Sequence, residues 1–139
     1  IRTLPAAIRS RLTVENDDRV YSPADLLPLC RETGQPFVYD VHHHRCLPDG
    51  LSVGEVTRQA FATWDREPLF HVSSPRESYG SRRPGPHHDF ITPSDFPDEW
   101  LSRDLTVEVE AKAKEVAVER LRQALARRSI PLWAHSAKG

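Results

Sequence analysis

Short apolar runs and longer amphipathic stretches alternate along this chain, and polar clusters follow the apolar runs. Arg9 to Asn16 predicts a short strand ending in Glu15, followed at once by the polar loop Asn16-Asp17-Asp18-Arg19. A helix start comes next, with Ser22 as N-cap, Pro23 at the first helical position and Asp25 in the first turn. That helix should run to about Glu32 and close at Gly34 in the left-handed region. Phe37, Val38 and Tyr39 predict a buried strand over 36–40.

A second long helix is expected from Ser52 to about Trp64, with Val53, Val56, Ala60, Phe61 and Trp64 at helical spacing. Leu69 to Ser74 reads as the third strand on its apolar, β-prone residues. Leu105 to Ala111 reads as the fourth by strict alternation, which puts Glu108 and Glu110 on one face. The last helix, Lys112 to Arg128, carries Val116, Val118, Leu121, Ala124 and Leu125 on one broad face. Between the third and fourth strands, Pro75 to Asp98 is rich in Pro, Gly, Ser, Arg and His, the composition of a functional loop, with a short helical turn at Pro93 to Phe96. The tail 129–139 reads as frayed except where Ile130, Leu132 and Trp133 dock.

Strand and helix in alternation imply an α/β fold with parallel strands joined by crossover helices. At 139 residues, 38% of them hydrophobic and 28% charged, the chain has the length of one domain. Its net charge of -1 supplies no global attraction for nucleic acid, so such a partner must be met by a local basic patch. Two cysteines, Cys30 and Cys46, make no disulfide framework or zinc knuckle, and a reducing, intracellular (cytoplasmic) setting is expected. No apolar run spans a bilayer, so no membrane partner is expected. The chain contains no Met, from which we expect that Ile1 is not where the natural protein begins.

The candidate chemistry lies at the strand ends, where α/β folds place their sites. The run Pro36 to Arg45 passes from strand formers into Asp40 and three histidines. A strand that stops at Asp40 and turns brings Asp40 and His43 to one point; a plain polar loop is the alternative reading. Collected in order, the strand-end groups are Glu15, Asp40, His43, His71, the His87-His88-Asp89 loop and Glu110. Mixed imidazole and carboxylate sets of this size suit one to three divalent ions such as Mn or Zn. Such ions lower the pKa of a bound water and clamp phosphate oxygens during in-line displacement.

These residues also form an ordered series: Glu15-Asn16-Asp17-Asp18, Tyr39-Asp40-Val41-His42-His43-His44, His71-Val72-Ser73-Ser74-Pro75, His87-His88-Asp89-Phe90-Ile91 and Glu110-Ala111-Lys112-Ala113-Lys114-Glu115. The series resembles the successive motifs of the UV-damage endonucleases. The resemblance implies a TIM-type barrel like that of endonuclease IV, of which this chain would be the C-terminal half, about four βα units. It implies a cluster of divalent metals, usually manganese, with zinc or magnesium as alternatives. It further implies incision of double-stranded DNA immediately 5′ to pyrimidine dimers and 6-4 photoproducts. Carried over residue by residue, Glu15, Asp40, His43, His71, His87 and Glu110 would be metal ligands, with Glu15 a bridging carboxylate and Glu15 and Glu110 the catalytic pair.

Two departures accompany the match. The family has an entire first half, with further histidine ligands and the side chains that probe the lesion, so a missing N-terminal half of the barrel is an implied partner. Leu69 stands where the family usually carries a lysine, and a leucine neither ligates a metal nor accepts a modification. Two other readings stay open: a sugar isomerase of the same barrel type, and an inactive metal- or DNA-binding remnant.

Each candidate also has a plainer reading. His71 alone would be a core histidine satisfied by one hydrogen bond; its company of matched positions argues otherwise. A strand between crossover helices is normally buried on both faces, where an unpaired Glu110 would want a cation; Glu108 is given no role beyond pairing with a basic side chain. His42, His44 and His88 read as neighbours of ligands, not ligands. Arg76, Arg82 and Arg83 lie in the long loop between ligand segments and are candidate DNA-backbone contacts, with a solvated basic loop as the alternative.

Overall fold

The computed structural model describes residues 1–128, and the expected docking of Ile130, Leu132 and Trp133 lies outside them. The described chain is α/β with short parallel strands. In order it forms α1 (Ala6–Arg9), β1 (Val14–Glu15), α2 (Pro23–Thr33), β2 (Phe37–Val38), α3 (Val41–Cys46), α4 (Val53–Phe61), β3 (Leu69–Val72), 3-10 turns at Pro93–Asp95 and Asp98–Trp100, β4 (Thr106–Val109) and α5 (Glu115–Arg128). β1 pairs parallel with β2, with Glu15 opposite Val38, and β3 with β4, with His71 opposite Glu108. A parallel bridge between Asp40 and His71 joins the two ladders, the His71 amide donating to the Tyr39 carbonyl at 3.0 Å. The strands therefore lie side by side in chain order.

Alternation along these strands sends Phe37, Tyr39, Phe70 and Val72 to the helix-covered face, each 0% exposed. They pack with Leu26, Leu27 and Cys30 of α2, Val41 of α3, Val56 and Ala60 of α4 and Leu121 of α5. The 75–98 loop contributes Ile91 and Phe96 to this core, and Trp100 follows directly after it. Tyr39 and Trp100 both lie against Phe70, with ring centroids 5.8 and 5.3 Å away, and the Trp100 indole donates to Thr57 Oγ1 at 3.0 Å. A loop that fills the core and ties off a buried indole is part of the fold.

Helix ends follow the expected chemistry. The Asp25 carboxylate takes the Ser22 amide at 2.9 Å and hydroxyl at 2.7 Å, and Gly34 closes α2 with φ 71. Ser52 and Glu55 form the same box at the start of α4.

Several boundaries differ from the sequence reading. The expected strand 9–16 shrinks to Val14–Glu15, because Ser10, Arg11 and Leu12 satisfy their amides on α1 carbonyls and only from Val14 is the backbone free to pair. The segment after Asp40 is a helix where a loop was one reading. α4 stops at Phe61, since Thr63 Oγ1 donates back to the Ala60 carbonyl at 2.7 Å. α5 begins only after Lys114, whose φ of 50 breaks the helix. That start sets its phase: Ala117 and Leu121 face the core, while Val116 and Val118, expected on the buried face, are exposed. β4 is not buried on both faces either. Among the described residues it pairs on one side only, and Thr106 and Glu108 are exposed. Cys30 and Cys46 are both free thiols, and burial pushes each pKa up to about 11. Among the described residues no helix is long and apolar enough to cross a membrane.

Candidate metal centre

At the C-terminal ends of the strands, all six expected ligands converge. Ligand atoms of Glu15, Asp40 and His43 lie within 4.8 Å of one another, as do those of Asp40, His71 and Glu110, and those of His43, His87 and Glu110. The three groups share members, so they form one continuous cluster.

Local folding explains the convergence. Asp40 caps α3, its Oδ1 accepting the His43 amide at 2.9 Å, so that Asp40 and His43 stand at the N-cap and third position of one helical turn. This turn is what brings together two side chains that an extended strand would place on opposite faces. Asn16 locks the arrangement: its side-chain Nδ2 donates to the Asp40 carbonyl at 2.9 Å, and its Oδ1 accepts the Asp40 amide at 3.0 Å. His43 Nδ1 donates to the Asn16 carbonyl at 2.9 Å, which fixes the tautomer and leaves the Nε2 lone pair free. His71 hydrogen-bonds Glu15 Oε1 through Nδ1 at 3.0 Å, with Glu110 at 3.7 Å. His87 reaches the cluster from the long loop, its Nε2 3.8 Å from Glu110 Oε2.

The electrostatics would suit a cation. Burial drives the Asp40 pKa up to about 6, against the lowering pull of His43, and the Asp40 Oδ2 atom is buried without a hydrogen-bond partner. Burial pulls His71 down, but its hydrogen bond to Glu15 and the charges of Glu15, Glu110 and Asp40 outweigh that and raise its pKa. Three carboxylates beside three imidazoles, one carboxylate oxygen buried without a partner and one imidazole held in a ligating tautomer, fit a divalent ion well.

The rim is basic. A cavity of about 680 Å³ opens beside His43 and His87, lined also by Arg19, Arg82, Arg83, Asp18 and Cys46. The loop bearing Arg19 is cinched by Asp17, whose Oδ1 accepts the amides of Arg19 at 2.7 Å and Val20 at 2.6 Å. Arg82 and Arg83 thus line the same cavity as His43 and His87. Arg76 does not line this cavity; it is exposed, with its guanidinium 3.9 Å from Glu77. His88 turns aside, its Nδ1 accepting the Phe90 amide at 3.0 Å.

The other neighbours have defined partners. Glu108 lies 3.5 Å from His71 Nε2, directly across the strand pair. Leu69, two residues before His71 and so on the same strand face, pairs with Thr106 and brings no charge. His44 is buried, accepting from the Tyr39 hydroxyl at 2.7 Å and donating to Asp49 Oδ1 at 3.0 Å. Asp49 Oδ2 in turn accepts the Ala24 amide at 2.7 Å, tying α3 to the start of α2. His42 is also fully buried, and burial is the largest of the causes that lower its pKa. Sequence reasoning missed Asn16 and Asp49. The signals for Asn16 were its place directly after a strand-end carboxylate and its inclusion in the Glu15-Asn16-Asp17-Asp18 motif.

The chain matches the UV-endonuclease UvdE family model over residues 1–134. It is 43% identical over 129 residues to the UV DNA damage endonuclease of Deinococcus radiodurans, covering 88% of this chain and 40% of that protein. It is 35% identical over 127 residues to the UV DNA damage endonuclease of Bacillus pumilus, covering 87% of this chain and 40% of that one. The crystal structure of SacUVDE superposes with a TM-score of 0.77 at 30% identity, over 91% of this chain and 43% of the other. The chain spans about 40% of the length of the curated relatives it matches.

Proposed function

The chain belongs to the UV-endonuclease UvdE family, and from that premise we propose that it forms part of a divalent-metal-dependent DNA repair endonuclease incising the backbone 5′ to UV photoproducts such as pyrimidine dimers. The observation that carries this reading is the meeting of Glu15, Asp40, His43, His71, His87 and Glu110 at one end of the strands beside an arginine-lined cavity. Those six side chains would hold the ions, for which manganese is the first candidate. When bound, such ions lower the pKa of a water and neutralise charge on a phosphodiester.

The protein's own groups do the rest. Glu15 and Glu110, with side chains 38% and 28% exposed against 0% for Asp40, are the carboxylates with room to receive the proton that leaves the attacking water. Asp40 is the fixed charge beneath them, held on both its amide and its carbonyl by Asn16. Arg82 and Arg83 take phosphate oxygens beside the scissile bond, since a guanidinium fork matches them in shape and charge. That rim favours a nucleic-acid strand over the neutral sugar of an isomerase. Leu69 leaves the ions to the six remaining side chains.

In this reading the four parallel strands are part of a TIM-type barrel whose other strands come from the remainder of the protein. In keeping with that, β1 and β4 each pair on one side only among the described residues. The test is a nicking assay on UV-irradiated and undamaged duplex with manganese, with this chain alone and joined to the upstream sequence of its own gene. Damage-dependent nicking by the joined form is expected. Bound metal without nicking in either form would leave the remnant reading.

A further inference from the structure

A segment as long as 75–98 with little regular structure is ordinarily mobile, yet here it carries one expected ligand, His87, and two arginines of the rim. Its neck is closed by the Pro75–His87 bridge and by the Arg76 amide on the Pro86 carbonyl at 2.7 Å. A buried ring, His42, meets the loop at Gly85 beside this neck and at Tyr79 further out. His42 Nε2 lies 3.0 Å from the Gly85 carbonyl, which only accepts, so Nε2 must carry the hydrogen. Nδ1 is then the acceptor, and the Tyr79 hydroxyl, 3.2 Å away, donates to it.

One imidazole thus joins two points of the loop to α3, and it lies edge-on against His87 with centroids 5.3 Å apart. One turn further along α3, the Arg45 guanidinium sits over the Tyr79 ring at 5.7 Å and donates to the Asp95 carbonyl at 2.7 Å. Gly85 also packs against the loop after β1, where a Cβ would collide with the Asp18 carboxylate. His42 and Gly85 together therefore join three segments: α3, the long loop and the loop after β1.

We propose that His42 is a positioning residue that clamps the 75–98 loop onto α3 and so sets the place of His87 in the metal cluster and of Arg82 and Arg83 on the rim. Consecutive histidines on one helix point about 100° apart, which divides the work. His42 holds the loop, His43 faces the cluster, and His44 braces the helix against Tyr39 and Asp49. An apolar residue of similar size would fill the space of His42 but leave the Gly85 carbonyl and the Tyr79 hydroxyl without this partner. The metal arm of the proposal rests on the endonuclease reading above; the clamp itself does not.

The experiment uses the full-length protein with two readouts: tryptic cleavage after Arg82 in the metal-free state, followed by mass spectrometry, and Mn²⁺ affinity by calorimetry. His42→Ala should be cut after Arg82 roughly ten-fold faster than wild type, because opening of the loop limits cleavage. It should also bind Mn²⁺ roughly ten-fold more weakly, the scale expected when a supporting shell is lost. His42→Gln places an amide nitrogen where Nε2 was, restores the Gly85 bond, and should recover most of both.

Tyr79→Phe removes one bond and should fall between, and it decides the matter with His42→Gln if the alanine variant fails to fold. Equal cleavage of wild type and His42→Ala would overturn the clamp. An opened loop with unchanged Mn²⁺ affinity would overturn the coupling, as would a glutamine variant no better than alanine. A wild-type protein that binds no Mn²⁺ would sink the metal reading and the coupling with it, while the cleavage ratio would still decide the clamp.

Discussion

Strand β3 has two faces built for opposite purposes. Phe70 and Val72, at 0% exposure, lie in an aromatic and aliphatic core where every neighbour is a favourable contact. Leu69 and His71, one residue out of step, face the other way, and His71 stands among Glu15, Glu108 and Glu110. Burial of a large apolar side chain contributes about 1.5–3 kcal/mol, so the first face stabilises the fold. The second gathers like charges and leaves a carboxylate oxygen buried without a hydrogen bond, so it costs stability. The helix-backed face offsets the cost of the polar one, which on the proposed reading receives cations.

The largest effect should separate the two faces directly. Phe70→Ala opens a cavity beside Tyr39, Phe61 and Trp100 and is expected to cost about 3–5 kcal/mol. His71→Ala, its neighbour in sequence, should cost metal-free stability only about 1 kcal/mol. It should nevertheless abolish both the rise in Tm on adding Mn²⁺ and any nicking activity. Thermal melts with chelator and with Mn²⁺ check both variants. If the two substitutions lowered the metal-free Tm equally, the division of labour between the faces would be wrong.

A subtler variant should reverse the usual sign. The folded pKa of Asp40, about 6, lies above its ordinary value of 3.8. Its contribution to stability is thus fully present below 3.8 and is lost as pH rises through about 6. At pH 7.5 the metal-free protein carries the whole cost, at most about 3 kcal/mol for a shift of that size. Asp40→Asn keeps an oxygen for the His43 amide and removes the titration. It should therefore raise the metal-free Tm at pH 7.5, with the advantage shrinking as pH falls through 6 toward 4. The raised pKa of His71 and the lowered one of His42 act in both proteins and largely cancel in the difference. With Mn²⁺ present the order should invert, since only the wild type has the full ligand set. A constant difference across pH would show that Asp40 carries no such cost.

The two faces were not equally legible in the sequence. Period-two alternation in 105–111 and the β-prone runs at Phe37 and Phe70 located β2, β3 and β4, because burial writes itself directly into residue type. The candidate ligands stood out for a different reason: their residue types are costly at strand ends without a cation, and the choice of His87 within its loop came from the family resemblance. What stayed hidden depended on local backbone detail or on contacts between distant segments. The helix after Asp40 starts on a side-chain cap in a run of three histidines with no apolar period. Asn16, Asp49 and the Gly85 carbonyl matter through partners that are remote in sequence. The phase of α5, which left Val116 and Val118 outside, turned on the backbone of one residue, Lys114.

The smallest expected effect on stability lies at the rim, and there the contrast becomes one between binding and chemistry. Arg82 and Arg83 are exposed, so replacing either by alanine should shift Tm by no more than the experimental scatter. If each meets one DNA phosphate, each loss should reduce the slope of log K against log salt by about 1, uniformly across sequences. Arg76, which is exposed but does not line the cavity, serves as the internal control and should leave the slope nearly unchanged. Glu110→Gln should do the reverse: DNA affinity and its salt slope persist while nicking disappears. Salt titrations of binding to a UV-irradiated duplex distinguish these cases. A slope that moved with Arg76 as much as with Arg82 would mean that the basic loop acts as diffuse charge, and that the cavity beside His43 and His87 is not where the phosphate sits.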